Sequence, residues 1–243
     1  MGIIPTINQT DILREGLFGR WMGGVHGVPA LGTVRDLTSK GNDGTCVGNA
    51  FINGDGLQLD GTGDYIDISD NSAIYGATKL SAFAWIRQSS PLAIGRAIMT
   101  KWDFQTQGTF ALQTNVVLQN GELILSIATS PTNNGAGCRV DTTDAGMLAD
   151  KWYHVGFVFD GTQTGNTSRL KFYVDGRLTI VTQTYGAVPA SLTSATATLK
   201  LGTFGGSLTR YFTGSISDAR IYNRALVQSE ISQVSSTTKW RHQ

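Results

Sequence analysis

Apolar and polar residues alternate along most of the chain. Residues 152–159 read Trp-Tyr-His-Val-Gly-Phe-Val-Phe, which places Tyr153, Val155, Phe157 and Phe159 on one face of an extended segment. A period of two is the mark of a strand with one face turned to a core. Leu170, Phe172 and Val174 repeat the pattern, as do Leu123, Leu125 and Ile127. The dipeptides Asp160-Gly161, Asp175-Gly176 and Asn120-Gly121 separate such runs and predict hairpin turns, most clearly within residues 174–178. Polar stretches at 105–108, 131–137, 161–168 and 187–198 are expected to be loops, the second and fourth long enough to carry recognition.

One helix is expected, near 226–234. A capping box would place Ser or Thr three residues before Glu230, but Val227 stands there, so Glu230 is expected to lack its partner. A missing cap costs about 1 kcal/mol. The helix should therefore fray unless Leu226, Ile231 and Val234 pack.

Composition supports turn-rich β structure: 243 residues, 30 glycines and only 15% charged residues fit one sandwich with long loops. Formal net charge is +1, and the one basic block is Lys239, Trp240, Arg241 and His242, so neither nucleic acid nor a charged membrane surface is favoured as partner. No apolar run approaches the roughly 18 residues of a membrane span. Residues 1–6 lack a basic segment followed by an apolar one, so no secretory signal is expected. Cys46 and Cys138 are read as free thiols, with a single long-range disulfide as the alternative.

Short motifs sharpen the fold. Residues 36–45 (Asp-Leu-Thr-Ser-Lys-Gly-Asn-Asp-Gly-Thr), 57–68, 83–86, 151–155 with Asp160-Gly161, and 170–176 come in order before Gly214-Ser215-Ile216-Ser217-Asp218-Ala219-Arg220-Ile221-Tyr222-Asn223-Arg224-Ala225-Leu226. Together they resemble the laminin-G-like (concanavalin A-like) jelly roll over residues 16–234. The resemblance implies an all-β, two-sheet antiparallel sandwich with one short C-terminal helix. It divides the chain into an arm at 1–14, a jelly roll at 15–234 and a polar tail at 235–243. Such folds bind glycans or proteins more often than they cut them.

Catalysis finds little support. Glycoside hydrolases of this fold carry paired carboxylates as E-x-D-x-x-E on one strand, whereas the three glutamates here, Glu15, Glu122 and Glu230, have no Asp two residues away. His26, His154 and His242 are scattered and no G-x-S-x-G elbow occurs, so no catalytic residue is assigned and His154 is read as structural.

The resemblance implies calcium. In relatives of the fold a structural ion is held by an Asp of the last strand and carbonyls of the first turn, positions matched here by Asp218 and by Asn42-Asp43-Gly44; the alternative pairs Asp218 with an Arg such as Arg220 or Arg35. Asp64 is the positional candidate for a second, ligand-facing ion, although residues 201–206 bring no carboxylate to it. Sugar binding needs an aromatic platform and planar polar groups. Trp102 and Asp103, followed by Gln105 and Gln107, and Asn133, Asn134 and Arg139 offer that chemistry, with loop packing as the alternative for Trp102. Trp21, Trp85 and Trp152 are read as core.

The expected function is a non-catalytic recognition or structural module. The segments at 14–21 and 35–44 resemble modules of phage virion proteins and of environmental bacterial proteins; the first implies a virion surface or decoration protein, assembled in the host cytoplasm, that contacts glycans or host-surface proteins. The arm at 1–14 is expected to make a homo-oligomer or capsid lattice contact. Alternatives are an extracellular carbohydrate-binding module of a secreted bacterial protein, and a glycoside hydrolase.

Overall fold

The computed structural model describes residues 13–23, 32–89, 95–103, 107–115, 122–129, 137–142, 145–205 and 210–242. Asn134, most of the 131–137 loop, the Asn120-Gly121 turn and nearly all of the arm at 1–14 lie outside them. Among the described residues seventeen strands form two sheets, and every ladder is antiparallel. The eight-stranded sheet runs β14 (Arg177–Thr179), β13 (Leu170–Val174), β12 (Trp152–Asp160), β7 (Lys79–Gln88), β17 (Thr213–Tyr222), β5 (Gly56–Asp60) and β4 (Phe51–Asn53), with β1 (Leu17–Trp21) on β17. The nine-stranded sheet runs β15 (Val181–Tyr185), β11 (Cys138–Thr142), β10 (Glu122–Ile127), β9 (Gln107–Asn115), β8 (Arg96–Asp103), β16 (Leu199–Leu201), β6 (Tyr65–Ile68), β3 (Gly44–Val47) and β2 (Thr33–Val34). This is the jelly-roll sandwich the alternation predicts.

The alternating residues meet between the sheets. Val155, Phe157, Phe159, Leu170, Phe172, Leu123, Leu125 and Ile127 share one buried cluster. Phe110 of β9 meets Phe157 of β12 edge-on at 5.5 Å, fastening one sheet to the other. Each such fully buried side chain contributes about 1.5–3 kcal/mol relative to an exposed one.

The last long strand holds a bulge. Ile216, Ala219 and Ile221 all belong to the core, yet Ile216 and Ile221 lie an odd number of positions apart, which strict alternation forbids. The register slips between Ser217 and Arg220, and Asp218 takes φ 45°. One inserted residue changes the parity of the strand. Without it Asp218 would point into the core beside Ile216; with it Asp218 and Arg220 both leave through the outer face.

Four expectations are corrected. The helix, α2, runs Gln228–Thr238, past the expected end at 234, and continues as a 3-10 turn over Lys239–Arg241, so most of the polar tail at 235–243 is helical. A separate one-turn helix, α1 (Asn166–Arg169), interrupts the 161–168 loop. Gln107 and Gly108 belong to β9. The 187–198 segment has no strand, as expected, but it buries Val188, Leu192, Ala195 and Ala197 and so packs as core cover and not as a free recognition loop. Cys46 and Cys138 are free thiols, and burial pushes Cys138 up to about 11.

Candidate functional site

The turn at 36–44 shows why its polar residues recur together. The Asp36 carboxylate accepts from the backbone N–H groups of Arg20 (3.1 Å), Thr38 (2.9 Å) and Asn42 (3.2 Å), and from the Thr38 hydroxyl and Asn42 amide. Asp43 accepts from the Asp36 N–H at 2.8 Å, and the Trp21 indole N–H donates to the Asn42 carbonyl at 2.7 Å. The turn satisfies itself.

Calcium does not fit at Asp218. Its carboxylate is 1% exposed and clasped by two guanidiniums: Arg20 Nε and Nη2 at 2.6 and 3.1 Å, Arg220 Nε and Nη2 at 3.0 and 2.7 Å. Burial alone would raise its pKa, but Arg220 and Arg20 hold the carboxyl well below the usual range. A divalent cation would meet two fixed positive charges and a carboxylate whose oxygens both accept from guanidiniums, and one of the turn carbonyls, that of Asn42, already accepts from Trp21. The pairing alternative holds, with Arg20 and Arg220 as partners and not Arg35.

Asp64 is likewise occupied. It is 1% exposed, and its oxygens accept from the N–H groups of Asn49 (2.5 Å) and Asp60 (3.1 Å), tying the turn before β4 to the end of β5. Among the described residues no three His, Cys, Asp or Glu side chains gather where a metal could sit.

The outer face of the nine-stranded sheet collects three of the expected ligand residues. Cross-strand pairing aligns Lys200, Thr100, Ala111, Ser126, Arg139 and Tyr185 in one row. Trp102 stands on this face but is 3% exposed, packed on Phe204 at 5.7 Å above Ala97, Ala111 and Ala128. Gly108 makes room, since a Cβ there would lie 2.3 Å from the indole. Trp102 is therefore packing and not a sugar platform, because no ring face is open. Asp103 pairs with Lys200 at 3.1 Å, and Arg139 grips Asp141 with Nε and Nη2 both at 2.8 Å. The Asp141 bond raises the Arg139 pKa against the opposing effect of burial, whereas burial and then Arg139 lower that of Arg210, which donates to Gln113 at 2.7 Å.

The opposite outer face, on the eight-stranded sheet, is divided. One half lies under α2, where the Trp85 N–H donates to the Thr238 hydroxyl at 2.7 Å and the ring stacks on His242 at 4.5 Å. His154 is buried there, stacked on Phe83 at 5.3 Å; burial and then the Arg220 charge push its pKa down to about 3. Its Nδ1 meets no hydrogen-bond partner among the described residues.

The other half is open. Trp152, Arg87, Ser215, Gln58 and Phe51 are successive cross-strand partners on β12, β7, β17, β5 and β4. Arg87 lies 5.2 Å above the Trp152 ring and reaches Asp55 at 3.2 Å and Ser215 at 3.4 Å; the Ser215 hydroxyl donates to Gln58 at 2.8 Å. Phe51 closes the row 57% exposed. A groove of about 430 Å³ runs along it, with Asn49, Asp60 and Asp150 on its walls. Trp152, expected with Trp21 and Trp85 to be core, is instead half-buried on this surface, whereas Trp21 and Trp85 are buried.

None of this row was predicted. Its members come from five strands, and only register brings them together. The one signal in the sequence is Phe51 itself, an aromatic next to a turn and outside the core alternation.

A two-sheet sandwich with a C-terminal helix on one outer face and grooves at its surface defines a lectin-like class of β protein. Residues 60–232 match the concanavalin A-like lectin/glucanases superfamily in its laminin-G form, and the chain belongs to that family. No curated protein matches the chain. Among solved structures, the botulinum neurotoxin serotype D binding domain superposes with TM-score 0.64 at 16% identity, over 92% of this chain and 52% of that one. The serotype D ligand binding domain in complex with N-acetylneuraminic acid gives 0.64 at 17%, over 95% and 53%. The neurotoxin DC binding domain in complex with rat synaptotagmin II gives 0.61 at 13%, over 93% and 52%. At these identities the likeness is one of fold, and the chain spans about half the length of those domains.

Proposed function

We propose that the protein is a non-catalytic recognition module that binds neutral glycans in the groove along Arg87, Ser215, Gln58 and Phe51. The observation that carries this reading is the row itself. It offers an exposed aromatic ring for the apolar face of a sugar and, beside it, an amide, a hydroxyl and a guanidinium for sugar hydroxyls, which is the chemistry of a carbohydrate site. The groove spans three strand spacings between Arg87 and Phe51, about 14 Å, which suits a short oligosaccharide. Three aspartates nearby, Asp55, Asp60 and Asp150, offer acceptors to sugar hydroxyls and disfavour an acidic ligand. Sugar complexes of structurally similar domains support glycans as the ligand class.

The carboxylates support binding over hydrolysis. Glu230 is engaged by Arg224 and the Val227 N–H, and Asp141 by Arg139. The segments at 14–21 and 35–44 resemble modules of phage virion proteins as well as of environmental bacterial proteins, and we place this module on a virion surface; co-sedimentation with particles in a density gradient tests that separately.

Titration of neutral cello-, malto- and galacto-oligosaccharides, followed by amide shifts, tests the binding. At least one should move signals of β4, β5 and β17, and Phe51→Ala should weaken it tenfold or more with the fold intact. Silence across the panel, or binding indifferent to both Phe51→Ala and Gln58→Ala, would overturn the reading.

A further inference from the structure

The basic block at the chain's end is not accounted for by the neutral groove. It folds back as a 3-10 turn against the start of β1 and the 36–44 turn, and encloses a second groove of about 750 Å³. Among the described residues five cations line it and no carboxylate does: Arg14, Arg20, Lys40, Arg220 and Arg241. The chain carries 19 basic against 18 acidic residues, so this convergence is a local excess and not a reflection of overall charge.

The five divide by role. Arg20 and Arg220 form the floor, where they share the single negative charge of Asp218 and keep one positive charge in surplus. Arg14 and Lys40 are exposed and meet no acidic partner among the described residues. Arg241 lies 4.7 Å over the Trp240 ring and contacts the Met22 sulfur at 3.1 Å, again with no side-chain carboxylate partner among the described residues. The carbonyls at the end of α2 could oppose this field, but Thr237 O already accepts from the Trp240 indole at 3.1 Å and Thr238 O contacts the His242 ring.

Trp240 gives the groove a second chemistry. It is 67% exposed, and its N–H bond and Arg241 fix the ring in place. A fixed, exposed indole on the wall of a cationic groove presents a stacking face beside charge-assisted donors. The volume falls within the 300–1,000 Å³ typical of ligand sites, roughly.

We infer that this groove is a second binding site, for an acidic polysaccharide whose sulfate or carboxylate groups pair with Arg14, Lys40 and Arg241 while a sugar ring stacks on Trp240. It is separate from the neutral-glycan groove and does not depend on it. A ligand of pure charge would leave Trp240 without a purpose, and a neutral sugar would leave the three cations uncompensated.

The test uses the full chain with a heparin-derived octasaccharide, a hyaluronan octasaccharide, neutral dextran oligomers and an oligothymidylate, by calorimetry at low and moderate salt. At least one acidic octasaccharide should bind, more weakly as salt rises, and dextran should not compete. Neutralising Arg14, Lys40 and Arg241 to Gln together should weaken it at least tenfold and flatten the salt dependence; Trp240→Ala should weaken it several-fold with the salt slope retained. Arg20 and Arg220 stay untouched because they hold Asp218, and Phe51→Ala should have no effect. Absence of acidic-glycan binding, indifference to the triple variant, or tighter binding of the oligothymidylate would each overturn the inference. Neutral oligosaccharides losing affinity to Phe51→Ala would leave the proposed function standing in any of those cases.

Discussion

Arg20 and Asp218 lie 198 positions apart in the chain and 2.6 Å apart in the fold. The first strand and the last are joined through that contact, with Arg220 on the other side of the same carboxylate. The arrangement explains why a position that resembles a calcium ligand serves here as the anion of a buried ion triad.

Asp218→Asn should be strongly destabilising. Removing one partner leaves buried guanidinium charge uncompensated, at a cost of about 3–5 kcal/mol. Urea unfolding of the variant measures it, and wild type with and without a chelator gives the contrast. The melting temperature should not respond to chelator; a shift on metal removal would return an ion to this account.

Stability should fall in acid from about pH 6.5 downward. His154 is about 3 in the fold against 6.5 in the free side chain, so between those values the unfolded chain takes up a proton that the native state refuses. The loss approaches 1.4 kcal/mol per pH unit at most. Asp218 acts in the same direction at lower pH: its carboxyl is depressed in the fold, so its contribution is present above about pH 4 and is lost as pH drops through the folded value. His154→Phe, which keeps the stack on Phe83, should flatten the profile between roughly pH 4 and 6. Equal slopes in the two proteins would assign the lability to other groups.

Val227→Ser should stabilise the protein by about 0.5–1 kcal/mol. Half of the capping box already exists, since Glu230 accepts from the Val227 N–H at 2.8 Å, and Val227 is 59% exposed, so little packing is lost. Glu230→Ala should cost about 1–3 kcal/mol, because it also strips the Arg224 fork of both its 2.8 Å bonds. Thermal melts of the two variants should move in opposite directions.

Gly108→Ala should destabilise by about 1–3 kcal/mol through overpacking. The new methyl would sit 2.3 Å from the Trp102 ring, which has Phe204 on its other side. A red shift of tryptophan emission should accompany the loss; an unchanged spectrum and melting temperature would mean that the indole can be displaced freely.

The sandwich is legible in the sequence because burial on one side imposes a period of two, and Tyr153 to Phe159 or Leu123 to Ile127 obey it. The turn at 36–44 is equally legible, since Asp36, Thr38, Asn42 and Asp43 bond to one another over short distances. The grooves are not. Phe51, Gln58, Ser215 and Arg87 meet only through the register of four strands, and Arg14, Lys40 and Arg241 through the path of three separate segments. Trp102 misleads for a related reason: polar neighbours in sequence suggest a loop, while its surroundings come from β9 and from Phe204. Glu230 misleads because its partner, Arg224, lies before the helix and outside the capping pattern.

The pairing of β1 with β17 has a consequence for biogenesis. Until the final strand is synthesised, Phe18 and Trp21 have no ladder to join, and β7 and β5 wait beside an empty central position. At about 5–20 residues per second, that interval lasts roughly 10–40 s. Non-local closure of this kind makes for slow folding, and half-made chains would expose long apolar strands to one another. Expression at low temperature, or with chaperones in excess, should therefore raise the soluble yield more than any gain in native stability does.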